Sequence, residues 1–301
     1  MRSGILTGAA LAVGLVFSVT GCRERLGKRS PVDTSEVATR ESRLAAAKSA
    51  PDTSGGKAPL ALWVLPQNLS EVSGLALTSD GRLLTHGDEN GMVSEIDYRR
   101  GVVVKQFSLG RRGVHGDFEG IAAVGDTIFL LDSNGKLYQF REGANRGHVE
   151  YSVHDTELGK ECEFEGLAYD STINSLLLAC KNVGEKKLKD HLVIYRYRLG
   201  EDGGDRISHI STSVEALLLE HGWKDLSPTG IDVDPLSGNY VLTTAERVLL
   251  IVSPDGSILA VRELPKSHDQ PEGIAITRDS ILIIGDEAVT RPAAITLYRW
   301  P

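Results

Sequence analysis

Ser73-Gly74-Leu75-Ala76-Leu77, Glu119-Gly120-Ile121-Ala122-Ala123, Glu165-Gly166-Leu167-Ala168-Tyr169, Thr229-Gly230-Ile231-Asp232-Val233 and Glu272-Gly273-Ile274-Ala275-Ile276 are five copies of one phrase. Their glycines are spaced by 46, 46, 64 and 43 residues. Intervals of that size fit one four-stranded propeller blade each. Each copy runs on into a turn (Ser79-Asp80-Gly81, Asp170-Ser171, Asp234-Pro235) and an apolar run such as Ile128-Phe129-Leu130-Leu131 or Ile281-Leu282-Ile283-Ile284. Tight turns at Glu89-Asn90-Gly91 and Ser133-Asn134-Gly135 then suit hairpins that need positive φ. The pattern predicts an all-β, five-bladed β-propeller. A six-bladed ring is the alternative, but the long interval is too short to hide another blade.

How the ring closes is also legible. Leu65-Pro66 through Asp80 aligns without a gap on Leu264-Pro265 through Asp279, at a constant offset of 199. Leu60 to Leu65 therefore matches the outer strand that ends blade four. The last copy reaches only three strands before Trp300, so the N-terminal strand is expected to complete it and remove an exposed edge. The 64-residue interval is assigned to a loop over Lys181–Asp190 and a short helix over Ser213–Gly222.

Upstream, Arg2 and the apolar stretch Ile5–Val19 have the proportions of a signal peptide. The stretch ends in Val19-Thr20-Gly21-Cys22, which resembles a bacterial lipobox. Residues 1–21 are thus read as a lipoprotein signal, 22–58 as an acylated Cys22 on a disordered tether, and 59–301 as the propeller. A helix over Ser35–Ala50 is conceivable in the tether, with nothing evident to bury it. Arg23 follows the cysteine where an aspartate would signal inner-membrane retention. The expected location is the cell envelope: the outer membrane facing the periplasm in a two-membrane cell, otherwise the outer face of the cytoplasmic membrane.

The formal charge of −8 argues against a nucleic-acid partner. It is unevenly spread: residues 23–59 carry +3, and residues 60–301 carry −12. A basic stem bears an acidic body. The expected partners are the membrane, through the lipid, and a small ligand or envelope protein; the chain is expected to be a monomer.

The repeated starts, with Phe118-Glu119-Gly120, Phe164-Glu165-Gly166 and Pro271-Glu272-Gly273 among them, resemble the SdiA-regulated family of bacterial envelope proteins over about Leu60–Pro301. The resemblance implies the propeller fold and no particular chemistry. A more distant likeness links it to calcium-containing lactonase-type and phytase-like propellers.

In a propeller the residue before each repeat glycine lines one mouth of the channel: Ser73, Glu119, Glu165, Thr229 and Glu272. The second strands of the blades should bring Asp88, Glu89, Asp132, Glu246, Asp286 and Glu287 to the same rim. Carboxylates converging like this repel one another unless neutralised, and Ca²⁺ is the expected cofactor. Glu119, Glu165 and Glu272 are its candidate ligands. The bland alternative is a solvated acidic rim. Arg112, His115 and Lys181 join the same face, either to hold an anionic substrate or as ordinary loop charges. No nucleophile elbow, zinc-protease, Walker, Rossmann or Cys-x-x-Cys signature occurs. The leading reading is a binding module; a metal-dependent hydrolase of phosphate or carboxylic esters and a protein-interaction scaffold are the alternatives. Reflecting the blade-three hairpin about Ser171–Asn174 brings Cys162 beside Cys180, a disulfide if the compartment is oxidising.

Overall fold

Each repeat glycine sits in the innermost strand of its own antiparallel sheet: Val72–Leu77, Phe118–Val124, Cys162–Asp170, Pro228–Val233 and Pro271–Ile276. A computed structural model describes residues 34–200 and 206–301. Cys22 and the apolar stretch before it lie outside those described. Four sheets have four strands; the fifth, blade one, gains the two-residue strand His148–Val149, parallel to Val102–Leu109. The inner strands touch one another in ring order, the last against the first, and the result is a five-bladed propeller.

Closure follows the 199-residue offset. Ala61–Val64 pairs antiparallel with Ala294–Arg299, Ala61 opposite Leu297, as the outer strand of blade five. Both ends of the propeller thus share one sheet, which covers the outer edge of Ala294–Arg299.

The glycines are explained by the hub. A Cβ on Gly120 would lie 2.6 Å from the Leu167 backbone nitrogen, and one on Gly230 would lie 2.5 Å from the Glu272 carbonyl oxygen. Neighbouring inner strands therefore meet backbone to backbone, and a side chain at these positions would push two blades apart. Beyond the hub, apolar side chains form five separate cores, one between each pair of adjacent blades. Polar staples reinforce the seams. Asp232 Oδ2 accepts the Ile276 amide of blade five at 2.7 Å, and buried Tyr240 donates from blade four to Asp170 Oδ2 of blade three at 2.8 Å.

The long interval divides as expected. The second strand of blade three extends to Val183, and Glu215–His221 is a helix ended by Gly222 at φ 67°. Its Leu218 is buried in the core between blades three and four. Cys162 and Cys180 form a disulfide, with Cα atoms 5.7 Å apart, across the first two strands of blade three.

The tether differs from expectation. Thr34–Ser49 is an α-helix, and it is held against the propeller. Leu44, 5% exposed, enters the core between blades five and one. Arg299 donates to the Ala47, Lys48 and Ala50 carbonyls, satisfying the free C-terminal acceptors of the helix. Lys48 pairs with Asp279 at 2.6 Å, and Arg40 lies 5.5 Å over the Trp63 ring. One large apolar residue anchors the helix, and long-range polar contacts do the rest. Among the described residues no helix is long and apolar enough to cross a membrane.

Candidate functional site

The channel narrows at the hub to a cavity of about 10 Å³, room for roughly one water. Ser73, Glu119 and Glu272 line it just above the glycines. Their positions follow from strand geometry: each precedes a glycine at the start of an inner strand, where five sheets converge.

Ser73 Oγ donates to Glu119 Oε2 at 3.0 Å, linking blades one and two across the opening. Glu165, 5% exposed, accepts from the Lys181 ammonium, with Nζ 2.5 Å from Oε1. Lys181 reaches this place because the second strand of blade three carries it alongside the first. Glu272 is buried, and its Oε2 has no hydrogen-bond partner. Thr229 departs from the pattern: its hydroxyl is turned into the blade wall, donating to the Pro271 carbonyl.

The three glutamates share one field. Burial, with repulsion from Glu165, pushes Glu119 up to about 9 against the restraining Ser73 hydrogen bond. Burial and the same Glu165 push Glu272 up to about 8, against a hydrogen bond from Gln270. Burial also raises Glu165, and Lys181 holds it down. Burial works against the Lys181 ammonium, but Glu165, with Glu272 and Glu119 behind it, raises it above its ordinary value. Values near 9 and 8 favour the protonated forms of Glu119 and Glu272 at neutral pH, beside the Lys181–Glu165 contact.

The rest of the expected rim separates into three groups. Asp88, Glu89 and Glu287 gather around Glu71, a residue the repeat pattern does not single out. Repulsion from Asp88 raises Glu71, and burial with Asp88 and Glu71 raises Glu287. Asp132, Glu246 and Asp286 serve the scaffold instead. Asp132 Oδ1 accepts the Asn134 amide at 3.2 Å, and Glu246 Oε2 accepts that of Ser227 at 3.1 Å. Asp286 Oδ2 accepts from Nδ1 of the buried His268 at 2.7 Å, and Tyr298 donates to Nε2 of that ring at 2.7 Å. Arg112 and His115 are exposed, and no hydrogen bond or ion pair joins them to the mouth glutamates among the described residues.

His86 was invisible from the sequence. Fully buried on the second strand of blade one, it donates from Nδ1 to the Gly87 carbonyl at 3.0 Å. Its Nε2 has no partner and lies 2.6 Å from where a Gly74 Cβ would stand. Burial pushes this imidazole down to about 4, so it is neutral at physiological pH.

Among the described residues no three His, Cys, Asp or Glu side chains are grouped to hold a metal ion. The donor chemistry itself fits a hard cation: carboxylate oxygens, one of them buried without a partner.

A family model for SdiA-regulated proteins matches residues 60–289. The chain belongs to the SdiA-regulated family. No curated protein matches it. Among solved structures, this SdiA-regulated propeller is similar to the glutaminyl cyclase of Myxococcus xanthus, at 12% identity and a TM-score of 0.52, over 80% of this chain and 96% of that one. A luciferin-regenerating enzyme is similar at 8% identity and a TM-score of 0.51, over 80% and 95%. At such identities the likeness is one of fold alone.

Proposed function

We propose that the protein is an envelope-anchored binding module whose acidic mouth takes up a divalent cation, Ca²⁺, in exchange for protons. The observation that carries this reading is the gathering of Glu119 and Glu272 at the narrow hub beside buried Glu165, with Glu272 Oε2 lacking any partner; burial raises Glu119 and Glu272 to about 9 and 8, which favours protons on both. Two protons now supply the charge that one divalent ion would supply. Lys181 balances the third carboxylate. Ligation requires the glutamates to turn toward one point, with the partnerless Oε2 of Glu272 the first oxygen available. The Cys162–Cys180 bridge supports an oxidising compartment outside the cytoplasm, consistent with the lipid anchor expected at Cys22. Binding is preferred to hydrolysis because Arg112 and His115, expected to hold an anionic substrate, are exposed, and among the described residues no hydrogen bond or ion pair joins them to the mouth glutamates.

Calorimetric titration of the chelator-treated protein with Ca²⁺ tests the proposal. Heat of binding and a raised melting temperature are expected, with about tenfold or greater weakening in Glu272→Gln. No heat and an unchanged melting temperature would end it.

A further inference from the structure

A second site lies away from the mouth, in the cleft between blades four and five. It encloses about 770 Å³, within the range of cavities that bury a small organic molecule. Its apolar side is made by Leu249 and Leu264 of blade four and by Leu282, Tyr298 and Trp300 of blade five. The segment from Asp52 to Lys57, leading into the strand that closes the ring, forms another wall. Asp52 folds that segment into a turn by accepting the Ser54 and Gly56 amides at 2.9 and 2.6 Å.

The charges of the cleft are not alike. Arg262 pairs across the sheet with Leu249, and strand alternation turns both toward blade five. Its guanidinium carbon lies 5.3 Å over the Trp300 ring, and no carboxylate pairs with it among the described residues. Glu263, next in the strand, is turned by the same alternation toward the opposite face of the blade. The Asp52 carboxylate is occupied by its own turn, and those bonds, the Ser54 ones foremost, hold it below its ordinary value. An aromatic and aliphatic floor is thus overhung by the Arg262 guanidinium, and exposed Lys57 on the facing segment is a second cation of the cleft with no carboxylate pairing with it among the described residues.

We infer that this cleft binds a small amphipathic anion, with its apolar body on Leu249, Leu282 and Trp300 and its acid group on Arg262. The inference is independent of the cation reading, since none of these residues belongs to the mouth. Because the Asp52–Lys57 segment is a wall, occupancy also pins that segment to the blades.

The test uses the full chain and two fluorescent probes that differ by one charge: anilinonaphthalene sulfonate and its neutral counterpart, N-phenylnaphthylamine. The sulfonate is expected to bind and to accept energy from Trp300, a transfer reduced in Trp300→Phe. The neutral probe is expected to bind about tenfold more weakly, the worth of one charge-assisted hydrogen bond. Arg262→Gln should weaken the sulfonate several-fold, Arg262→Gln/Lys57→Gln should bring it down to the level of the neutral probe, and Arg262→Lys should keep most of the native affinity. Arg262 is exposed, so these variants fold; unchanged melting temperatures check that. Equal binding of the two probes, unchanged sulfonate affinity in Arg262→Gln, or no binding at all would overturn the inference.

Discussion

Replacing Lys181 by methionine removes the ammonium that neutralises Glu165 and leaves that carboxyl buried beside Glu119 and Glu272. In the native mouth the pair is 2.5 Å apart, with side-chain exposures of 31% for Lys181 and 7% for Glu165. Breaking a buried ion pair from one side costs about 3–5 kcal/mol; solvent at the lysine end brings this one down to about 2 kcal/mol. The cost depends on pH. Burial already raises Glu165, and Lys181 opposes that rise. In the variant, the folded-state value climbs further above the unfolded one. Such a group favours folding fully below its unfolded value and loses that contribution as pH rises through the folded one. Near pH 5 the variant should therefore melt close to the native protein. Near pH 8 a loss of about 2 kcal/mol corresponds to roughly 4–8 °C for a domain of this size. Thermal melts by circular dichroism at the two pH values measure it, with Lys181→Met/Glu165→Gln expected to recover most of the loss. Equal depression at both pH values, or none at either, would refute the reasoning.

The mouth carboxyls set the alkaline side of the stability profile. Glu119 and Glu272 are raised to about 9 and 8, so their contribution is full below their unfolded values and drains away as pH rises toward those numbers; native stability should fall from neutrality to pH 9, and Glu119→Gln/Glu272→Gln should flatten the fall in pH-dependent melts. His86 acts at the opposite end. Its value is depressed to about 4, so stability is lost as pH drops below the ordinary histidine value, and His86→Gln should reduce the acid sensitivity of the melting temperature. Gly120→Ala would set a methyl 2.6 Å from the Leu167 nitrogen; a loss of about 3 kcal/mol or more in denaturant unfolding is expected. Opening the Cys162–Cys180 bridge by a double serine substitution should cost about 2–4 kcal/mol, and thiol titration of the denatured native chain should find those two cysteines unreactive until reduction.

What could be read from residue order reflects what the hub demands. Five inner strands meeting backbone to backbone require glycine, so the blades announce themselves at fixed intervals, and the 199-residue offset reveals the shared blade. Contacts between distant residues leave no such trace. The helix Thr34–Ser49 looked like free tether because Leu44 is its main apolar anchor and its other holds, Arg299 and Asp279, come from the far end of the chain. Lys181 could be placed on the mouth face, but its pairing with Glu165 depends on how far the blade-three hairpin extends. Asp132, Glu246 and Asp286 have the composition of a rim, yet turn amides and the buried His268 each take one of their oxygens. Glu71 and His86 lie outside the repeated phrase, and only the folded chain shows one among carboxylates and the other beside the hub.

Protons that stand in for a cation at the mouth must leave when the cation arrives, and they can be counted. Calorimetric titrations with Ca²⁺ near pH 7, in two buffers of different ionisation enthalpy, give the number released per ion bound. About two protons are expected from the native protein and about one from Glu119→Gln. Calcium binding with no proton release, or no binding in either buffer, would contradict it.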